Sequence, residues 1–204
     1  MFVIGLTGGI GTGKTQVSEI LESLGAAVIN ADLLGHEAYR PGAEAWRKVV
    51  EAFGEGVLTP QGEIDRKALG SIVFGDPTAL ERLNAIMHPR IYRMIEERIR
   101  DLGALGRNEV VVEAALLLEA NRTSLVSELW VVTAHEDEVV RRLVGRNSMD
   151  EEAIAARIRS QMPQAERAKR ADVVIDNSGS LVELRECVDR LWKRRVMARK
   201  ESKL

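Results

Sequence analysis

Residues 8–15 read Gly-Gly-Ile-Gly-Thr-Gly-Lys-Thr, and no other stretch of this 204-residue chain restricts its fold so tightly. The run satisfies the pattern G-x-x-x-x-G-K-[ST] without a mismatch. Before it stands the apolar run Phe2-Val3-Ile4-Gly5-Leu6, which reads as a buried strand. After it come Val17, Ile20, Leu21 and Leu24 at helical spacing, with Gly25 as a stop signal. Ala26-Ala27-Val28-Ile29 make a second apolar run, closed by Asn30-Ala31-Asp32. Strand, glycine-rich turn, helix and strand within about thirty residues form a βαβ unit. Such a unit predicts an α/β fold on a parallel sheet.

The loop's residue types follow from what it must hold. Glycines let successive backbone N–H groups turn inward and approach phosphate oxygens closely. The helix that follows presents its positive end to the anion. Lys14 reaches the β and γ phosphates, and the Thr15 hydroxyl suits a Mg²⁺ ion that keeps most of its waters. Gly8, Gly9, Ile10, Gly11, Thr12, Gly13, Lys14 and Thr15 are therefore the candidate triphosphate-binding residues, a set to which the family resemblance given below adds the adjoining Gln16.

Beyond the loop the chain changes character. Between 42 and 105, glycines and prolines punctuate short helical stretches, the longest at about 80–102. This reads as a helical insertion in the α/β core. Strands resume at 109–114 and 128–133, a helix follows at 136–146, and a polar segment with a helical middle fills 147–170 as a mobile cover. Residues 171–175 make a last strand. A terminal helix carries Leu181, Leu184, Val188 and Leu191 on one face, with Cys187 beside it as a small core residue. The tail at 193–204 is expected to fray.

Charge and composition exclude several classes. Twenty-nine Lys and Arg against 31 Asp and Glu leave a net charge of −2, so the chain as a whole is no polycation for nucleic acid or anionic membrane. The total conceals a split: residues 1–140 sum to −8 and residues 141–204 to +6. No apolar run approaches the ~18 residues of a membrane span, and the N-terminus lacks the basic region of a secretory signal. A single cysteine excludes an intramolecular disulfide framework and points to a reducing, cytoplasmic setting. The terminal Ser202-Lys203-Leu204 matches a peroxisomal address, but six of the last twelve residues are Lys or Arg and the match reads as coincidence.

Phosphoryl transfer to a hydroxyl needs a carboxylate that takes the proton, and cations that neutralise developing charge. Asp32, just past the second strand, is the candidate base, with a helix N-cap or turn aspartate as the structural alternative. Arg142 and Arg146, one helical turn apart, are the candidate cations, with a solvated helix face as theirs. A regulatory GTPase is disfavoured because the nearest string to a guanine-reading N-K-x-D, Asn147-Ser148-Met149-Asp150, lacks the lysine. A non-catalytic nucleotide-binding module shares the loop and stays open on these residues alone.

The ordered set of motifs resembles the dephospho-coenzyme A kinase family over nearly the whole chain. The set runs from Gly5 through Thr15, then Asn30-Ala31-Asp32, Pro41-Gly42, His88-Pro89, Leu116-Leu117-Leu118-Glu119, Arg142, Arg146, Gln161 and Ala171 through Gly179. The resemblance implies ATP-dependent phosphorylation of the ribose 3′-hydroxyl of dephospho-coenzyme A, giving coenzyme A and ADP. The runner-up is a nucleoside or nucleotide kinase of related architecture. It also implies a parallel-sheet P-loop kinase core (1–41, 106–146 and 164–204), a helical substrate domain (42–105) and a helical lid (147–163), working as a monomer or weak homo-oligomer. By position, Asp32 is the base, Lys14, Arg142 and Arg146 serve the transferring phosphate, and the backbone around Asn177 lies by the adenine. His88 is either a substrate contact or a residue held extended before proline; Glu119 either contacts substrate or caps a helix. The sequence departs from the family pattern at Asn30, where an aspartate is usual, at Ala115, where a proline is usual, and at Gln16 and Asn147. None removes a group the chemistry needs.

Overall fold

The computed structural model describes residues 1–115, 117–118, 125–147 and 151–201. Its strands are β1 (Phe2–Gly8), β2 (Ala27–Asn30), β3 (Glu109–Glu113), β4 (Glu128–Thr133) and β5 (Val173–Asp176). The helices in chain order are α1 (Lys14–Ser23), α2 (Ala31–Ala38), α3 (Glu44–Phe53), α4 (Arg66–Val73), α5 (Pro77–Ala104), α6 (Glu136–Asn147), α7 (Glu151–Arg159), α8 (Gln164–Lys169), α9 (Leu181–Trp192) and α10 (Ala198–Glu201). Two compact units result, one of Met1–Ile29 with Arg100–Leu204, the other of Asn30–Ile99.

The first unit is built on a five-stranded parallel sheet in the order β2-β3-β1-β4-β5. β1 is central because it is apolar on both faces, and β4 is buried at every residue. The register sets Leu6 beside both Glu113 and Trp130, and Thr133 beside Asp176. The carboxyl ends of β1, β3, β4 and β5 thus share one edge, the edge where open parallel sheets take ligands. One sheet face, with Ile4, Leu6, Trp130, Val132 and Ile175, is covered by Val17, Ile20 and Leu21 of α1 and by Leu184, Val188 and Trp192 of α9. Ser180 starts α9 with a reciprocal capping box to Glu183.

A separate apolar cluster joins α6 to α7. Val139 and Leu143 pack with Ala134 and the fully buried Ile154, and Ile10 of the glycine loop lies against them.

The second unit has its own core, in which Val49, Val57, Leu69, Val73 and Met87 are buried. Trp46 Nε1 donates to Gly62 O at 2.9 Å, and Leu58 and Ile64 make an isolated antiparallel bridge.

Two expectations are corrected. Of the two readings of His88, the one that holds it extended before its proline is excluded, because α5, expected at about 80–102, continues through Pro89. Pro89 is exposed, and the ~3 kcal/mol cost of an internal proline is outweighed by the apolar face of α5, on which Leu83, Ile86, Met87, Ile91 and Met94 join one core. The tail does not fray at 193. Lys193–Met197 form a π turn that runs into α10, and Arg195 and Arg199 reach the buried Glu128 at 3.5 and 3.0 Å. Glu128 also accepts the indole N–H of the buried Trp130 at 3.0 Å.

Candidate active site

The glycine loop turns at the carboxyl end of β1 and delivers its last residues into α1. Gly13 is the N-cap of α1 with φ 91°, a left-handed conformation natural to glycine. A Cβ there would collide with the Asn177 side-chain amide. Gly11 also has positive φ, 72°, and a Cβ would come within 2.9 Å of Val139 on α6. The loop is therefore clasped between α6 and the end of β5, and only glycine fits at both contact points.

Polar contacts fix its shape. Lys14 Nζ folds back to donate to Gly8 O at 2.9 Å and Gly9 O at 3.1 Å. Thr12 Oγ1 donates to Gly9 O at 2.9 Å. Asn177, only 3% exposed, donates from Nδ2 to Thr12 O at 2.9 Å and to Gln16 Oε1 at 3.3 Å. Its own carbonyl accepts Arg142 Nη2 at 2.7 Å. Arg142 Nη1 is buried and has no hydrogen-bond partner among the described residues.

Thr15 Oγ1 donates to Glu113 Oε1 at 3.0 Å, and Ser18 Oγ donates to Glu113 Oε2 at 2.8 Å. A buried carboxylate at the end of β3 thus holds two successive turns of α1. Because the Thr15 hydroxyl gives its proton to Glu113, its lone pairs are left for a hard cation, so the residues present fit Mg²⁺. No group of three His, Cys, Asp or Glu side chains forms a metal cluster among the described residues.

Past α7, one short segment is stitched to three strand ends. Ile10 N–H donates to Gln161 Oε1 at 2.9 Å, just beyond β1. Ala134 N–H donates to Gln164 Oε1 at 3.1 Å, just beyond β4. Arg167, 1% exposed, donates to Met162 O at 3.1 Å and to Ala115 O, beyond β3, at 3.3 Å. A cavity of about 440 Å³ opens between this segment and the loop, lined by Gly9, Ile10, Thr12, Val139, Gln161 and Arg167 among others.

Asp32 is the second residue of α2, in the second unit, and is exposed. The cap of that helix is Asn30, whose Oδ1 accepts from Leu33 N–H at 3.1 Å, so Asp32 is not the N-cap. His88 lies edge-on to Tyr92 at 6.3 Å between ring centroids. Glu119 and the Arg146 side chain lie outside the described residues, although the backbone of Arg146 belongs to the last turn of α6.

Sequence reading overlooked Glu113 and Arg167 and gave Gln161 no role. An acid ending the apolar run Glu109-Val-Val-Val-Glu113 is a legible signal, since a carboxylate in a buried strand needs partners. Nothing in the polar stretch around Arg167 marks it as buried. Asn177 was expected to act through its backbone, and its side chain proves to hold the loop.

A glycine loop feeding a helix on a five-stranded parallel sheet, with a lysine over the loop and a hydroxyl tied to a strand-end carboxylate, defines a P-loop kinase. Within that class the comparisons are specific. The dephospho-CoA kinase family profile matches residues 2–183. The dephospho-CoA kinase of Geobacter sulfurreducens is 49% identical over 195 residues, covering 96% of this chain and 99% of the relative. A crystal structure from Thermus thermophilus superposes with a TM-score of 0.82 at 34% identity, covering 96% of this chain and 98% of that one. The dephospho-CoA kinase of Campylobacter jejuni superposes with a TM-score of 0.70 at 30% identity, over 94% and 96% of the two chains. The chain belongs to the dephospho-CoA kinase family. Its activity is the ATP-dependent phosphorylation that completes coenzyme A biosynthesis. No described helix is long and apolar enough to cross a membrane.

Proposed function

We propose that this chain moves the γ-phosphoryl group of ATP to the ribose 3′-hydroxyl of dephospho-coenzyme A with Asp32 as the general base. The observation that carries the reading is the fully formed phosphate loop, with Lys14 on the carbonyls of Gly8 and Gly9, Thr15 on Glu113 and Gln16 on Asn177, in a chain of this family. Asp32 follows the end of β2 by two residues. Ligands of parallel sheets collect beyond such strand ends, which supports a carboxylate there as proton acceptor. The acceptor oxygen attacks phosphorus in line, and its proton passes to the Asp32 carboxylate.

On binding, ATP draws the Lys14 ammonium from the carbonyls of Gly8 and Gly9 onto phosphate oxygens. The loop amides and the positive end of α1 take the rest of the charge. The spare Arg142 donor serves the nucleotide, and Arg146, one turn further on, would join it when the 147–163 segment closes as a lid. Mg²⁺ held at the Thr15 hydroxyl would neutralise charge on the phosphates. The helical 42–105 region would carry the coenzyme A moiety, with His88 and Glu119 as candidate contacts and the adenine of ATP near Asn177. Work in the cytoplasm fits the single, partly buried Cys187, and the chain would act there as a monomer or weak homo-oligomer.

The test is ATP consumption with dephospho-coenzyme A beside adenosine, AMP, shikimate and uridine. Turnover should require dephospho-coenzyme A, and equal rates with a nucleoside would overturn the acceptor assignment. Asp32→Asn should keep ATP affinity and lose about 10²–10⁴-fold in kcat. Near-normal turnover would remove Asp32 as the base.

A further inference from the structure

A carboxamide has two different ends, and among the described residues only one end of Gln161 is used. Oε1 accepts the N–H of Ile10 at 2.9 Å, so the acceptor end is docked on the first limb of the phosphate loop. The Nε2 end carries two N–H groups and has no hydrogen-bond partner among the described residues. Gln161 lines the cavity that Gly9, Ile10 and Thr12 also line. With Oε1 fixed on the loop, the opposite amide end stands as a donor beside a phosphate site.

The segment is built to keep it there. Gln164 holds the end of β4 through Ala134 N–H, and the buried Arg167 holds the end of β3 through Ala115 O. Three side chains within seven residues thus grip the sheet edge, and Gln161 is the one that faces the loop. Lys14 Nζ rests on Gly8 O and Gly9 O, the limb of the loop that precedes Ile10. A P-loop lysine serves the β and γ phosphates. Lys14 and Gln161 therefore converge on Gly8–Ile10, so the phosphates that Lys14 serves are the ones this limb would meet.

We propose that Gln161 reads the γ-phosphate: it keeps Oε1 on Ile10 N–H and donates Nε2–H to a terminal phosphoryl oxygen of ATP. During transfer, the acceptor O3′ forms its bond to the γ-phosphorus. The bond from that phosphorus to the β–γ bridging oxygen breaks, its electron pair stays on ADP, and the hydroxyl proton goes to Asp32. Charge spreads over the equatorial oxygens of the moving group, and the Gln161 donor is aimed at one of them. A neutral donor anchored to the loop distinguishes ATP from ADP by the one group that differs between them. The proposal rests on the reaction above only for the identity of the donor nucleotide.

Binding measured without acceptor separates the two ideas. Titration calorimetry with ADP and with a non-hydrolysable ATP analogue is run on wild type, Gln161→Met and Gln161→Glu. Methionine removes donor and acceptor at nearly constant shape. Glutamate keeps the acceptor for Ile10 N–H and turns the donor into an anionic oxygen. In Gln161→Met, ADP affinity should stay within about twofold of wild type while the analogue weakens about tenfold or more, the loss of one hydrogen bond to a charged group. kcat with ATP should fall about 10–100-fold. Gln161→Glu should lose more analogue affinity than Gln161→Met. Equal weakening of ADP and analogue would overturn the proposal in favour of simple loop support, and unchanged analogue affinity in both variants would overturn it outright. If instead wild type binds the two nucleotides as described but fails to phosphorylate dephospho-coenzyme A, the acceptor assignment fails and the Gln161 reading stands.

Discussion

Replacing Asn177 by alanine should loosen the phosphate loop from a distance of 165 residues along the chain. The side-chain amide gives Thr12 O its 2.9 Å hydrogen bond and shares a second proton with Gln16 Oε1 at 3.3 Å. Thr12 and Asn177 are each 3% exposed, so water does not readily replace the donor. Leaving one buried carbonyl without its partner costs about 1–3 kcal/mol. A domain of this size loses about 2–4 °C in Tm per kcal/mol, so Asn177→Ala should melt about 2–12 °C below wild type. The Arg142 bond to the Asn177 carbonyl survives, because it uses the backbone. Asn177→Asp should melt lower still, since its carboxylate faces two acceptors, Thr12 O and Gln16 Oε1, with no proton to offer. Melting curves with and without ATP provide the assay, and KM for ATP should rise in both variants. The ATP-induced rise in Tm should shrink with affinity, as linkage requires. If Asn177→Ala melts within about 1 °C of wild type with an undiminished ATP shift, or if the aspartate variant is the milder of the two, the assigned role of the side chain is wrong.

Glu113→Gln keeps one acceptor for the two hydroxyls of Thr15 and Ser18 and loses the charge behind them, so the Mg²⁺ concentration for half-maximal activity should rise several-fold; a titration at saturating ATP measures it. Glu128→Ala strands the buried indole N–H of Trp130 and removes one partner each of Arg195 and Arg199. A loss of about 2–4 kcal/mol in denaturant unfolding is expected, with earlier tryptic cutting after residues 193–199. Ser180 holds the Glu183 carboxyl below its ordinary pKa through its backbone N–H and hydroxyl. With the folded pKa depressed, the stabilisation is present above the unfolded glutamate value and is lost as pH falls through the folded value. The Tm gap between wild type and Ser180→Ala should therefore narrow on acidification, and a gap that widens would contradict the capping box.

The parts of the site legible in the chain are those made by neighbours in sequence. Phe2 through Leu21 contain a strand, a loop and a helix whose apolar periods and glycines need no distant partner to be read. The apolar runs of β3 and β4 are legible for the same reason. The long helix was legible through Pro89 because its apolar period continues on both sides of the proline, and α5 does bury that face; only the local reading of His88 as extended before a proline gave way to it. The basic tail looked free because its partner, Glu128, is about 70 residues away and itself reads as an ordinary strand-end acid.

The amino-acid order by itself determined that a triphosphate would be held at the start of an α/β core, and which family the chain belongs to. Glycine spacing and apolar period are short-range properties, and the motifs that carry the resemblance are read in order along the chain. Tertiary structure alone decided what supports that loop. Asn177 on Thr12, Glu113 on Thr15 and Gln161 on Ile10 join residues 98–165 positions apart. They meet because parallel pairing brings the carboxyl ends of β1, β3, β4 and β5 to one edge. A polar side chain near a strand end looks the same in sequence whether it faces solvent or a phosphate loop, and only the register of the sheet tells the two apart.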